Sequence, residues 1–310
     1  MFIQIIALIL GLAMVIGGAS ALVDGASSVA RRTGISEFVI GLVIVGFGTS
    51  LPELVVSVTG ALAHNSDIAV GNVFGSNIFN TALILAVSAM IAPVAITRQN
   101  HFRDIPLTIL ATFVVAVLGM KGGLSRVDGL ILLVLFVFYI FYSFRTDTAE
   151  DAVEADAKDI PMFYAIVLIL GGLACLVFGG RLFVQSAENI ARLLGVSDKF
   201  IAITVLAMGT SLPEFVTSIV ALAKKRSQMA LGNILGSNVF NLLLILGVSA
   251  VISPTSFARI DACDFAALFL SIILVWTGVY TGKKNVLDRF DASLLLLVFV
   301  AYMIKLFVTL

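Results

Sequence analysis

Two short motifs occur twice, in the same order and at the same distance. Gly48-Thr49-Ser50-Leu51-Pro52-Glu53 returns as Gly209-Thr210-Ser211-Leu212-Pro213-Glu214, 161 residues later. Gly71-Asn72-Val73-Phe74-Gly75-Ser76-Asn77-Ile78-Phe79-Asn80 returns at the same offset as Gly232-Asn233-Ile234-Leu235-Gly236-Ser237-Asn238-Val239-Phe240-Asn241. Laid over 195–254 without a gap, residues 34–93 give 28 identities in 60 positions. A register held that long marks a duplicated structural unit.

The setting of the repeat is lipid. Apolar residues make up 60% of the 310 and charged residues 12%, against about 45–50% and 25% in soluble domains. A spanning helix needs about 20 mostly apolar residues. Ten stretches qualify: 2–24, 36–63, 69–91, 105–121, 128–145, 162–187, 198–223, 229–252, 262–281 and 290–308. The expected fold is an all-α polytopic membrane protein of ten transmembrane helices. The first stretch lacks a basic leader and a small-residue cleavage site, so it reads as a retained span. The acidic run 147–160 is read as a cytoplasmic linker between a first five-helix repeat, 1–146, and a second, 161–310. Its acids read as a solvated linker, with a divalent-ion patch as the alternative.

Five spans separate each motif from its copy. Five is odd, so the second copy enters the membrane from the opposite side. The two halves are therefore expected to be inverted-topology repeats, with a substrate site near the midplane at their interface. With both termini outside, twelve of the 19 Lys and Arg fall in inside loops, as the positive-inside rule favours. Net charge is zero, which supplies no basic stripe for nucleic acid. Cys175 and Cys263 read as isolated packed thiols, and His64 and His101 as surface residues in loops.

Glu53 and Glu214 fall mid-span, where an ionised side chain costs about 2.5–3.5 kcal/mol on insertion scales. Neither has a nearby Lys or Arg in its own span, which makes a bound cation the natural partner. Thr49 shares a helix face with Glu53 at i, i+4. Pro52 lacks an N–H, so it frees a backbone carbonyl and kinks the helix. Hydroxyls of Thr49, Ser50, Thr210 and Ser211, freed carbonyls and a carboxylate are hard oxygen donors suited to Ca²⁺ or Na⁺. Ser76 with Asn80, and Ser237 with Asn241, add neutral oxygens at i, i+4. For Asn72, Asn233 and the motif glycines, packing and ligation both stay open. Asp24 and Gln185, near span ends, read as snorkelling to water.

These doubled motifs resemble the α-repeats of sodium/calcium exchangers, within the calcium:cation antiporter superfamily. The short central loop resembles the compact prokaryotic members. The resemblance covers α-repeats 34–93 and 195–254, and the span layout fits the rest. It implies four cation positions in a diamond at the midplane, bridged by Glu53 and Glu214. Thr49, Ser50, Thr210, Ser211, Ser76, Ser237, Asn80 and Asn241 would complete the cage, with help from the Gly46 and Ala207 carbonyls. Spans one and six would slide as a gate over the other eight. Members that also carry K⁺ place Asp where this chain has Asn241, so it resembles potassium-independent exchangers.

The resemblance and a charge count together imply exchange of three Na⁺ for one Ca²⁺. Two carboxylates are neutralised by one Ca²⁺ and left at +1 by three Na⁺, so transport would be electrogenic. No cofactor is expected, and the chain is expected to act as a monomer in the inner membrane. Low pH is expected to inhibit by protonating Glu53 or Glu214. Within the superfamily the alternatives are Ca²⁺/H⁺ exchange and K⁺-dependent Na⁺/Ca²⁺ exchange. More remote are a cation channel and an intramembrane enzyme, for which no catalytic motif is present in the spans.

Overall fold

A computed structural model describes residues 1–147, 160–195, 209–258, 260–281 and 284–309. It is helical almost throughout. The helices are α1 (Phe2–Thr33), α2 (Glu37–Thr49), α3 (Leu51–Leu62), α4 (Ile68–Ile91), α5 (Asn100–Gly119), α6 (Arg126–Arg145), α7 (Met162–Leu193), α8 (Leu212–Ala223), α9 (Ser227–Ile252), α10 (Ala262–Tyr280) and α11 (Arg289–Val308). Among the described residues, eight helices are long and apolar enough to cross a membrane. Counting the bent pair α2 and α3 as one span makes nine. The seventh expected span, 198–223, has its first part outside the described residues, and α8 is its apolar remainder. Most of the linker 147–160, Ala207, and four of the basic residues used for orientation (Lys158, Lys199, Arg259 and Lys283) also lie outside.

The helix ends follow from local chemistry. Gly34 ends α1 in the left-handed region (φ 70°), where its N–H reaches the Ala30 carbonyl. Ser125 and Asp128 form a reciprocal capping box at the start of α6, and Asp261 and Asp264 do the same for α10. Lys305 lies 2.7 Å from Asp261, and its ammonium holds that carboxyl below the usual carboxylate range.

The chain divides into two compact units, and each draws on both halves of the sequence. One comprises 1–52 and 147–233, the other 53–146 and 234–310. In the first unit α1 and α7 meet backbone to backbone. A Cβ built at Gly18 would lie 2.7 Å from the Gly172 carbonyl oxygen, and one at Gly172 2.6 Å from the Gly18 carbonyl oxygen. Close approach of this kind, rather than hydrophobic exclusion, holds helices together in lipid. Lys224, after α8, binds Asp24 at 2.6 Å and Ser20 at 2.7 Å on α1. Asp24 therefore lies within α1, nine residues before its end, and is met by an ammonium rather than by a span end. Arg226 makes a buried pair with Glu37 at 3.0 Å.

In the second unit two short antiparallel ladders tie loops together. β1 (Val94–Ala95) pairs with β4 (Val286–Leu287), and β2 (Gly123–Leu124) pairs with β3 (Thr255–Ser256). Phe74 is fully buried and meets Phe257 and Phe265 edge-on, with ring centres 5.7 and 5.1 Å away. His101 corrects the sequence expectation of a surface loop. It is buried in the opening π-helical turn of α5, stacked on Trp276 and 2.9 Å from the Tyr280 hydroxyl. The polar run Asn100–Asp104 masked a helix start that the apolar pattern placed at 105. His64 is exposed in a turn, as expected.

Candidate cation-binding site

The duplication is visible in backbone geometry. Ser50 has φ −81°, ψ 6°, and Ser211 has φ −85°, ψ 5°. Both occupy the sparsely populated bridge region that recurs at functional sites. Around Ser50 the chain bends by 48° between α2 and α3. The proline that follows each serine explains the break, because it cannot donate to the preceding turn. A second feature recurs at the same offset. The chain widens into a π-helical turn over Phe79–Ile84 and again over Phe240–Ile245. Such turns cluster at functional sites, and each contains one of the candidate asparagines, Asn80 or Asn241.

In the first unit the carboxylate is Glu214, 1% exposed. Its Oε1 accepts from Ser50 Oγ at 3.1 Å, and its Oε2 has no hydrogen-bond donor among the described residues. Asn233 donates to the Glu214 carbonyl at 3.3 Å and to Ser218 Oγ at 2.9 Å, and accepts from Thr49 Oγ1 at 3.1 Å. The Gly46 carbonyl accepts from Thr49 Oγ1 at 3.3 Å and from the Ser50 N–H at 3.1 Å. Ser211 is buried and Thr210 half-buried beside it in the chain.

In the second unit the carboxylate is Glu53, fully buried. Ser76 Oγ lies 3.5 Å from its Oε1. Asn72 donates to the Glu53 carbonyl at 3.2 Å and to Ser57 Oγ at 3.0 Å. This clamp matches the one Asn233 makes on Glu214 and Ser218, donor for donor. The first Asn of each motif is therefore a brace that fixes the backbone of the acid.

Asn77 and Asn238, which the sequence reading passed over, form a buried amide network in this unit. Asn241 donates to Asn77 Oδ1 at 2.8 Å, Asn77 to the Asn238 carbonyl at 3.2 Å, and Asn238 to Thr81 Oγ1 at 2.7 Å. Their signal was present in the repeat, where Asn77 and Asn238 are the fifth of the residues identical in both copies of the motif. Asn80 differs. Its carboxamide is buried, and neither polar atom has a hydrogen-bond partner among the described residues. Ser237 is buried on α9. Among the described residues no cluster of three or more His, Cys, Asp or Glu stands ready for a metal. The donors are carboxylates singly placed among hydroxyls, amides and carbonyls, a set suited to hard cations that must also leave.

A sequence model of the sodium/calcium exchanger protein family matches residues 3–145 and 164–308. The chain belongs to the sodium/calcium exchanger family. This exchanger is 35% identical over 320 residues to the putative antiporter CaxA of Alkalimonas amylolytica, covering 99% of both chains. It is 29% identical over 347 residues to the sodium/calcium exchanger MaX1 of Methanosarcina acetivorans, covering 97% of both. Its fold matches the solved sodium-calcium exchanger NCX_Mj with a TM-score of 0.86 at 31% identity, over 98% of both chains. The exchanger is a multi-pass membrane protein and a cation antiporter of the compact prokaryotic type, not an enzyme.

Proposed function

We propose that this exchanger moves Na⁺ against Ca²⁺ by alternating access, with the duplicated motif as its ion site. The observation that carries the reading is the repeated brace. Two buried glutamates each have their backbone carbonyl gripped by the first Asn of the following motif. Two acids kept in a low-dielectric interior and held this firmly are supported most simply by cations that neutralise them. Glu53 and Glu214 carry the charge. Thr49, Ser50, Thr210, Ser211, Ser76, Ser237, Asn80 and Asn241 supply neutral oxygens, with the Gly46 and Ala207 carbonyls. Ten spans in two inverted five-helix repeats then offer equivalent access from either side.

With −2 in the site, one Ca²⁺ balances the charge and three Na⁺ leave +1. The exchange is three Na⁺ for one Ca²⁺ and electrogenic. Protons compete by neutralising the same two acids. The exchanger acts as a monomer in the inner membrane, with both termini outside. The names of MaX1 and NCX_Mj support the choice of ions.

The test is ⁴⁵Ca²⁺ uptake into proteoliposomes loaded with Na⁺, with choline or K⁺ outside. Uptake needs internal Na⁺, accelerates at an inside-positive potential, slows from pH 8 to pH 5, and falls to background in Glu53→Gln and Glu214→Gln. Uptake driven by a proton gradient without Na⁺ overturns the choice of coupling ion. Wild-type uptake in both variants overturns the site.

A further inference from the structure

The two copies of the motif differ one turn beyond the acid. Thr217 stands where the first repeat has Val56. Val56 is 37% exposed, whereas Thr217 is fully buried. Its Oγ1 has no hydrogen-bond partner among the described residues. A threonine inside a helix ordinarily returns its hydroxyl to a carbonyl three or four residues back, and this one does not. Leaving a buried hydroxyl unmatched is costly, and valine fills the same volume without that cost.

Thr217 is three residues after Glu214 on α8, a spacing that places both on one face. Helical Cα–Cβ bonds tilt toward the N-terminus, so the Thr217 side chain leans toward the turn that holds Glu214. Glu214 Oε2 also lacks a donor among the described residues. Two oxygens on one face, one charged and one neutral, are thus both without a hydrogen-bond partner among the described residues.

We infer that Thr217 supplies an oxygen to a Na⁺ held by Glu214, and so makes the second copy of the motif the more Na⁺-selective. A single Na⁺ cancels the single charge of Glu214, where Ca²⁺ on the same two groups leaves +1. The neutral hydroxyl adds coordination without adding charge, which favours the monovalent ion. Position 56 offers no such oxygen to Glu53. The inference rests on the reading of Glu214 as an ion-binding residue.

The experiment measures the Na⁺ and Ca²⁺ concentrations giving half-maximal exchange in proteoliposomes, for wild type, Thr217→Val, Thr217→Ser and Glu214→Gln. Thr217→Val raises the Na⁺ value by roughly three- to tenfold, the size of one lost hydrogen-bond-strength contact, and leaves the Ca²⁺ value about unchanged. Thr217→Ser, which keeps the hydroxyl, stays near wild type. A wild-type Na⁺ value in Thr217→Val overturns the inference, as does an equal shift in both ions, which marks a packing role. If Thr217→Val fails to assemble, Thr217→Ala is read by the same criteria, with Thr217→Ser as its reference. Full exchange in Glu214→Gln instead removes the underlying site, a result distinguishable from failure of Thr217 alone.

Discussion

Asn80 and Asn241 occupy equivalent motif positions and differ in what holds them. Asn241 donates to Asn77, while the Asn80 carboxamide has no hydrogen-bond partner among the described residues. Truncating Asn80 therefore removes no internal bond. Asn80→Ala is expected to keep the melting temperature of the ion-free protein and to lose much of the stabilisation that Ca²⁺ confers, since a ligand stabilises only through the affinity it has. Asn241→Ala gives up its bond to Asn77 and leaves a buried acceptor, so it melts lower even without ions, by about 1–3 kcal/mol of stability. Thermal shift with and without Ca²⁺ separates the two. The acids, hydroxyls and final asparagines stand out in the sequence as candidates because repetition and the cost of charge in lipid single them out. The roles of Asn72 and Asn233 were not. A brace and a ligand need the same residue type at the same spacing, and only the donor directions tell them apart. The His101 environment was hidden for another reason: Trp276 and Tyr280, which bury it, are more than 170 residues away.

At the level of elements, hydropathy located the helices to within a few residues because each must bury its own backbone in lipid. It ran short at α1, which continues from the expected 24 to Thr33, because polar residues there find partners: Ser28 and Arg32 both donate to the Ile160 carbonyl. It could not see the π-helical turns at 79–84 and 240–245, which leave no mark in composition. The α1–α7 contact yields a paired prediction. Gly18→Val places side-chain carbon against the Gly172 backbone, whereas a Cβ at neighbouring Gly17 meets nothing within 4 Å. Gly18→Val is expected to separate the helices, lowering both the melting temperature and exchange, by an overpacking cost of about 1–3 kcal/mol. Gly17→Ala is expected to leave both unchanged. Fluorescence-detected gel filtration after heating, beside an uptake assay, reads both outcomes.

On the scale of the molecule, the compact units do not coincide with the sequence repeats. Each unit takes one segment from the first half and one from the second. In the second unit, β1–β4 and β2–β3 each join a loop of one half to a loop of the other. Neither half contains a complete unit. Residues 1–146 and 161–310 expressed as two polypeptides are thus expected to co-purify and recover exchange, and neither is expected to be stable alone. Recovery of a folded single half would contradict this. Repetition in the sequence announced the duplication, but the interleaving comes from contacts between residues more than a hundred positions apart, to which local pattern is blind. The glycine-lined pairing of α1 with α7 also has a meaning for biogenesis. The ribosome finishes α1 about 160 residues before it finishes α7, an interval of roughly 10–30 s at ordinary elongation rates. Throughout that time the grooved face of the newborn helix has only lipid, or the insertion machinery, to lie against. A strongly apolar helix thus waits well over a hundred residues for its mate, and an escort that shields small-residue faces during translation would act there.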